Sequence, residues 1–251
     1  MKKQPLKPSG KEKTRTKIGF YGYPPEDILS FYQQQGYEFI DLDVDFGAPD
    51  AALLPSVTCQ IIKNIVNNAL FYRHEIELVL ATVGEDKCDS GRFIVWLLRQ
   101  EGISVRETSN LNRKRKPLVI ATSDLPLRSK IDLIMNRIVS PLAIPSNQQV
   151  ARPAFGFWGV PPNDFSILEL FPDETAVYGW VRCVEAGVPG DFELECFVEP
   201  EVKMVFFTQS FCAKAILARQ LAEKYQGLYI DLEKIATHSI HAKIQAFLRL
   251  A

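Results

Sequence analysis

Gly19-Phe20-Tyr21-Gly22-Tyr23-Pro24-Pro25-Glu26-Asp27 and Gly156-Phe157-Trp158-Gly159-Val160-Pro161-Pro162-Asn163-Asp164 are two versions of one nine-residue signature, identical at six positions. In both, an apolar and aromatic stretch runs into Gly-x-Pro-Pro. Proline fixes φ and removes an amide donor, so a strand ends there. An apolar run at helical spacing comes after each copy: Ile28, Leu29, Phe31 and Tyr32 after the first, and Phe165, Ile167, Leu168 and Leu170 after the second. Each copy therefore reads as strand, turn, helix.

The alternation continues outward from both copies. In the first half it predicts a strand over 38–44, a helix over 56–72, a strand over 76–82, a helix over 90–101, a short strand over 103–106 and a further strand over 118–122. In the second half it predicts strands over 176–182 and 202–208, a helix over 213–225, a strand over 228–231 and a last helix over 240–250. Strands alternating with helices across short joins specify parallel sheets covered by helices. The expected fold is α/β, with two Rossmann-like (flavodoxin-like) domains related by internal duplication. The domains are expected at 17–142 and 154–251. Between them a linker at 143–153 is signalled by prolines 141, 145 and 153 around Ser146-Asn147-Gln148-Gln149. Residues 1–16, basic and interrupted by Pro and Gly, read as a disordered tail.

With 29 Lys and Arg against 30 Asp and Glu, the net charge of -1 offers nothing to attract nucleic acid or an anionic membrane. The local run Arg113-Lys114-Arg115-Lys116 reads as a solvated loop. No stretch approaches the ~20 apolar residues of a membrane span, and no apolar signal core follows the N-terminal lysines. A cytoplasmic location is expected. The five cysteines, 59, 88, 183, 196 and 212, are odd in number and widely spaced. In a reducing compartment they are buried apolar residues, reactive thiols or metal ligands rather than structural disulfides.

Four of them fall where parallel sheets bind ligands. Cys59 heads the predicted 56–72 helix, behind the possible caps Ser56 and Thr58. Cys88 and Cys212 each lie between a strand and a helix, and Cys183 closes the predicted 176–182 strand. The carboxyl ends of strands form the ligand edge of such sheets, and helix N-termini favour the thiolate that binds metal. Cys59 and Cys88 stand 29 residues apart, as do Cys183 and Cys212 (88 - 59 and 212 - 183), although the two signatures are offset by 137 and these pairs by 124 (156 - 19 and 183 - 59). Cys196 lacks this setting and reads as structural. No Cys-x-x-Cys knuckle is present, so four thiolates taken singly from separate loops suit an iron-sulfur cluster better than zinc.

Other chemistries find less support. No Gly-x-Gly-x-x-Gly, Walker or Gly-x-Ser-x-Gly sequence occurs. His238 and His241 read as a surface pair. Asp86, Asp89 and Arg92 read as helix-capping charges around Cys88.

The succession Gly22-Tyr23-Pro24-Pro25-Glu26-Asp27-Ile28-Leu29, Leu54-Pro55-Ser56-Val57-Thr58-Cys59 and Asp86-Lys87-Cys88-Asp89-Ser90-Gly91-Arg92 resembles the N-terminal domain of the 2-hydroxyacyl-CoA dehydratase and benzoyl-CoA reductase family. In the second half, Gln209-Ser210-Phe211-Cys212 and the closing Ala242-Lys243-Ile244-Gln245-Ala246-Phe247-Leu248 are similar to the same family. The resemblance implies a 4Fe-4S cluster held between two domains by Cys59, Cys88 and Cys212. It also implies low-potential one-electron chemistry fed by an ATP-dependent iron-sulfur activator, in a homodimer or a heterodimer with a related subunit. Double-cubane relatives use extra cysteines, which would give Cys183 a place. Family subunits are longer, and the region without counterpart here is the helical part that shapes the acyl-CoA pocket. The resemblance therefore carries the cluster further than the substrate. The competing expectation is a metal-free duplicated Rossmann-like protein that binds a small molecule or serves in assembly.

Overall fold

The computed structural model describes residues 16–140 and 152–250. Nearly all of the expected tail and most of the expected linker lie outside the described residues. The first half runs β1 (Lys17–Tyr21), α1 (Glu26–Gln34), β2 (Glu38–Asp41), α2 (Gln60–Phe71), β3 (Ile76–Thr82), α3 (Asp89–Gln100), β4 (Val105–Thr108) and α4 (Leu127–Asn136). The second runs β5 (Phe155–Trp158), a 3-10 helix (Phe165–Leu170), β6 (Ala176–Tyr178), α5 (Trp180–Glu185), α6 (Phe192–Cys196), β7 (Lys203–Gln209), α7 (Ala215–Lys224), β8 (Leu228–Leu232) and α8 (His238–Arg249).

The result is the expected α/β architecture: two four-stranded, all-parallel sheets ordered β2-β1-β3-β4 and β6-β5-β7-β8. The two orders are equivalent. In each, the signature strand is central, and the chain passes to one side of it and then to the other. That reversal opens a crevice at the carboxyl ends of the strands.

The signature turns behave differently after their prolines. Pro25 caps α1, with Glu26 and Asp27 in its first turn against the positive end of the helix dipole. In the second copy Asp164 caps instead, its carboxylate accepting from the Ser166 amide at 3.0 Å and the Ala236 amide at 2.8 Å. The segment it caps winds as a 3-10 helix rather than an α-helix. Phe171 precedes Pro172 and is held extended, with ψ of 147°, so the segment stops after six residues.

Two predicted strands are corrected. The 176–182 strand ends at Tyr178, because Gly179 takes φ of 71° and turns the chain into α5. A Cβ at Gly179 would lie 2.8 Å from the Gly159 amide nitrogen, so close approach of two turns adds to the demand for glycine. No strand forms over 118–122. There the Glu185 carboxylate accepts from the amides of Val119, Ile120 and Ala121 at 2.8, 2.6 and 2.8 Å, which takes the donors a sheet would have used.

One core joins the halves. Ile18, Phe20 and Leu80 of the first sheet share a buried cluster with Phe157, Val205 and Phe207 of the second, and Ile131 and Ile134 of α4 belong to it. Phe157 stacks on Phe207 with ring centroids 5.8 Å apart. Separate clusters back the outer faces: Ile62, Ile65, Ile94 and Leu98 under α2 and α3, and Met204, Phe206, Ala218 and Leu221 under α7. Among the described residues no helix is long and apolar enough to cross a membrane.

Candidate functional site

The carboxyl edges of the two sheets face a shared cavity of about 1150 Å³. Cys59, Cys88 and Cys212 all line it, each delivered by a different helix start. Cys59 is itself the N-cap of α2, after a turn closed by the Thr58 amide on the Pro55 carbonyl; neither Ser56 nor Thr58 caps the helix. Cys88 is the N-cap of α3, after a turn closed by the Lys87 amide on the Gly84 carbonyl. Cys212 precedes α7, its carbonyl accepting from the Ala215 amide at 3.0 Å.

The residue before Cys212 is Phe211, a bulky side chain with φ of 64°. That left-handed conformation costs about 1–2 kcal/mol in a non-glycine residue, and strain of this kind concentrates at functional loops.

Cys59 and Cys212 border the cavity from opposite halves, and each perturbs the titration of the other. The neighbouring Cys212 thiol, with burial adding to it, holds the Cys59 thiol well above its ordinary range. The Cys59 thiol in turn lowers Cys212 to about 7, helped by the Lys214 amide and ammonium and opposed by burial.

The signature aromatics hold this edge in place. Tyr21 Oη donates to the Gly91 carbonyl in the first turn of α3 at 2.8 Å, beneath Cys88. At the matching position, Trp158 Nε1 donates to the Glu195 carbonyl at 2.7 Å. Both rings are fully buried, so each indexes a helix on the cavity from within the core. Asn64 of α2 donates to the Asp43 carbonyl and to Asn163 Oδ1, both at 3.0 Å, joining the β2 loop to the second signature.

A charged wall that the sequence did not announce stands beside Cys88. Lys87 Nζ lies 3.7 Å from the Asp86 carboxylate, whose side chain is 3% exposed, and 5.2 Å from the centroid of the Trp180 ring. Trp180 Nε1 donates to Asp86 Oδ2 at 3.4 Å. Asp86 is therefore not the helix-capping charge expected of it, whereas Asp89 is exposed and 3.8 Å from Arg92. Burial works against the Lys87 ammonium, but Asp86 and Asp43 outweigh it and hold the group charged.

Asp43 Oδ2 accepts from the Gly22 amide at 2.6 Å, while its Oδ1 is buried without a partner. Burial raises the Asp43 carboxyl, and burial together with the charge of Asp43 raises Asp41. On the opposite wall Glu195 is ion-paired with Lys214.

Cys183 is elsewhere. It lies inside α5, fully buried among Ala186, Val188 and Leu194, and its thiol donates to the Asp191 carbonyl at 3.6 Å. Burial, then the charges of Glu195 and Asp191, raise that thiol. The expectation that it closes a strand beside the other three cysteines is overturned by the turn at Gly179. Cys196, half-buried at the end of α6, is also outside the cavity lining.

Among the described residues no three or more His, Cys, Asp or Glu side chains are grouped to hold a metal ion. The three cavity cysteines are thus not a preformed single-ion site. They border one space, and their residue type and position at helix starts suit a larger, thiolate-ligated group. No protein-family model matches the chain, and no curated protein matches it.

Proposed function

We propose that this chain is an iron-sulfur protein that holds a 4Fe-4S cluster between its two halves on Cys59, Cys88 and Cys212, for low-potential electron transfer or reductive chemistry. The observation that carries the reading is the convergence of these three thiols, from α2, α3 and the start of α7, on one cavity. Three cysteine ligands leave one iron without a protein thiolate, and the cavity beside it gives a substrate room. The cluster would supply the electrons. The chain's own residues then set the surroundings: Lys87 offers a fixed positive charge, Asp41 and Asp43 offer carboxyls that burial disposes to hold a proton, and the apolar walls limit water.

The resemblance to 2-hydroxyacyl-CoA dehydratase and benzoyl-CoA reductase subunits supports the same reading. It brings with it an ATP-dependent iron-sulfur activator as electron donor, pairing with a second copy or a related subunit, and a cytoplasmic setting. A duplication origin of the halves is supported by their equivalent strand orders and by the repeated signature at the same turn. The double-cubane variant is not part of the proposal, since Cys183 is packed in a core of its own.

The test is anaerobic purification followed by iron and acid-labile sulfide analysis and a visible spectrum. The expected result is brown protein with iron and sulfide in near-equal amounts, bleached by dithionite. Protein that stays colourless after anaerobic reconstitution overturns the reading and leaves a metal-free binding role.

A further inference from the structure

α3 (Asp89–Gln100) is apolar on two opposite faces. Ile94, Val95 and Leu98 are buried in the outer core of the first half, against Ile62 and Ile65 of α2. Phe93 and Trp96, one helical turn apart on the other side, are 69% and 66% exposed. A helix with apolar residues on both sides has two surfaces to cover, and the fold covers one of them. Exposed apolar residues such as Ile216 stand singly and ask for no partner; Phe93 and Trp96 form a continuous aromatic stripe.

The ends of this stripe carry charge in a self-complementary order. At its N-terminal end Asp89 and Arg92 lie 3.8 Å apart, and at its C-terminal end Arg99 lies 2.9 Å from Glu107 of β4. All four side chains are at the surface, so each end presents one acid and one base. When two copies of the helix pack antiparallel, an N-terminal end meets a C-terminal end. Asp89 then faces Arg99 of the other copy, Arg92 faces its Glu107, and the helix dipoles oppose. Parallel packing would set Asp89 on Asp89 and Arg99 on Arg99.

We propose that the outer face of α3 is a dimer seam, on which a second copy of this chain docks its own α3 antiparallel about a two-fold axis between Phe93 and Trp96. Each Phe93 then lies on Trp96 of the other copy, as an isologous interface requires. At about 1.5 Å per residue, Asp89 and Arg99 stand about 8 and about 7 Å from that axis along the helix, a close enough match for the two to pair. One helix face is a small interface, so the dimer is weak, with a Kd on the order of micromolar. Because α3 begins at Cys88, the far end of the other copy's helix covers the outer side of the turn that delivers this cysteine to the cavity. The seam gives a surface to the pairing proposed above, but it rests on α3 and needs no cluster.

Sedimentation velocity of the full-length chain across a concentration series spanning the micromolar range tests it. The expected result is a reversible monomer–dimer equilibrium. Trp96→Glu should weaken it by at least about tenfold, since an aromatic at the centre of a seam carries much of the binding. Asp89→Lys and Arg99→Glu should each weaken it, and the two together on one chain should restore it to within about threefold of wild type, because the swapped pair attracts again. Circular dichroism confirms that each variant is folded. A chain that is monomeric throughout the series, a dimer that Trp96→Glu leaves intact, or a double variant no tighter than the single ones overturns the inference.

Iron and sulfide are measured on the same samples. A cluster in a monomeric chain sinks the seam and leaves the cluster reading standing. A dimer through α3 without iron does the reverse.

Discussion

Cys59, the N-cap of α2 in the first half, and Cys212, ahead of α7 in the second, line the same cavity, which Cys88 borders from α3. Each thiol arrives from a different loop, so none of the three depends on another for its local conformation.

The three cavity cysteines are separable from the buried one by metal content. C59S, C88S and C212S are each expected to lower bound iron to less than about a third of the wild-type value, since a lost thiolate ligand removes a strong bond from a cluster with only three. C183A is expected to keep wild-type iron while losing about 1–2 kcal/mol of stability for a small buried side chain. Iron per folded chain, with a urea melt for each variant, checks both.

Tyr21→Phe tests whether the signature aromatic indexes α3. The ring stays packed, but the Gly91 carbonyl loses its donor. A loss of about 1–2 kcal/mol in urea unfolding is expected, together with faster alkylation of Cys88 as the first turn of α3 loosens. An unchanged alkylation rate would show that the hydroxyl does not position the cysteine.

Glu185 carries three backbone amides on one carboxylate. Glu185→Ala leaves those of Ile120 and Ala121 buried without an acceptor, and the expected cost is about 3–5 kcal/mol. Glu185→Gln keeps an acceptor oxygen and should recover part of it. Equilibrium urea unfolding of both variants makes the comparison.

Lys130 gives a pH dependence of defined sign. Its side chain is fully buried, with Nζ donating to the carbonyls of Asp173 and Thr175, and burial lowers its pKa to about 8. Between that value and the 10.5 of the unfolded chain, the unfolded state binds more protons than the folded one. The Lys130 contribution to stability therefore rises as pH increases through this window and is flat below it, where both states carry the proton. The rise is at most about 3 kcal/mol. The difference in unfolding free energy between wild type and Lys130→Met, followed from pH 7 to about pH 10, should grow in favour of wild type; a flat difference would count against a buried ammonium.

The repeated Gly-x-Pro-Pro signature made both strand-turn-helix units legible, and from them the parallel sheets and the ligand edge. Cys59, Cys88 and Cys212 could be placed because each precedes a helix close in sequence. Readings that depended on distant partners failed. Residues 118–122 have strand composition, but Glu185 withdraws their amides from any sheet. The apolar run after Ala176 looks like a long strand until Gly179, whose left-handed φ and contact with Gly159 turn it into a helix and carry Cys183 inward. Lys87, Asp43 and Trp180 gave no local signal, because their grouping exists only once the two halves meet. The Asp86-Lys87 pair beside Cys88 was the one available hint, and capping chemistry explained it equally well.

The central claim is that three cysteines from both halves hold one four-iron cluster. Mössbauer spectroscopy of the anaerobic protein loaded with isotopically enriched iron tests it most directly. The account predicts a cluster spectrum in which one iron site differs from the other three, lost when Cys59, Cys88 and Cys212 are replaced together by serine. Absence of any cluster signal in folded wild-type protein, or the same signal in the triple variant, would contradict it.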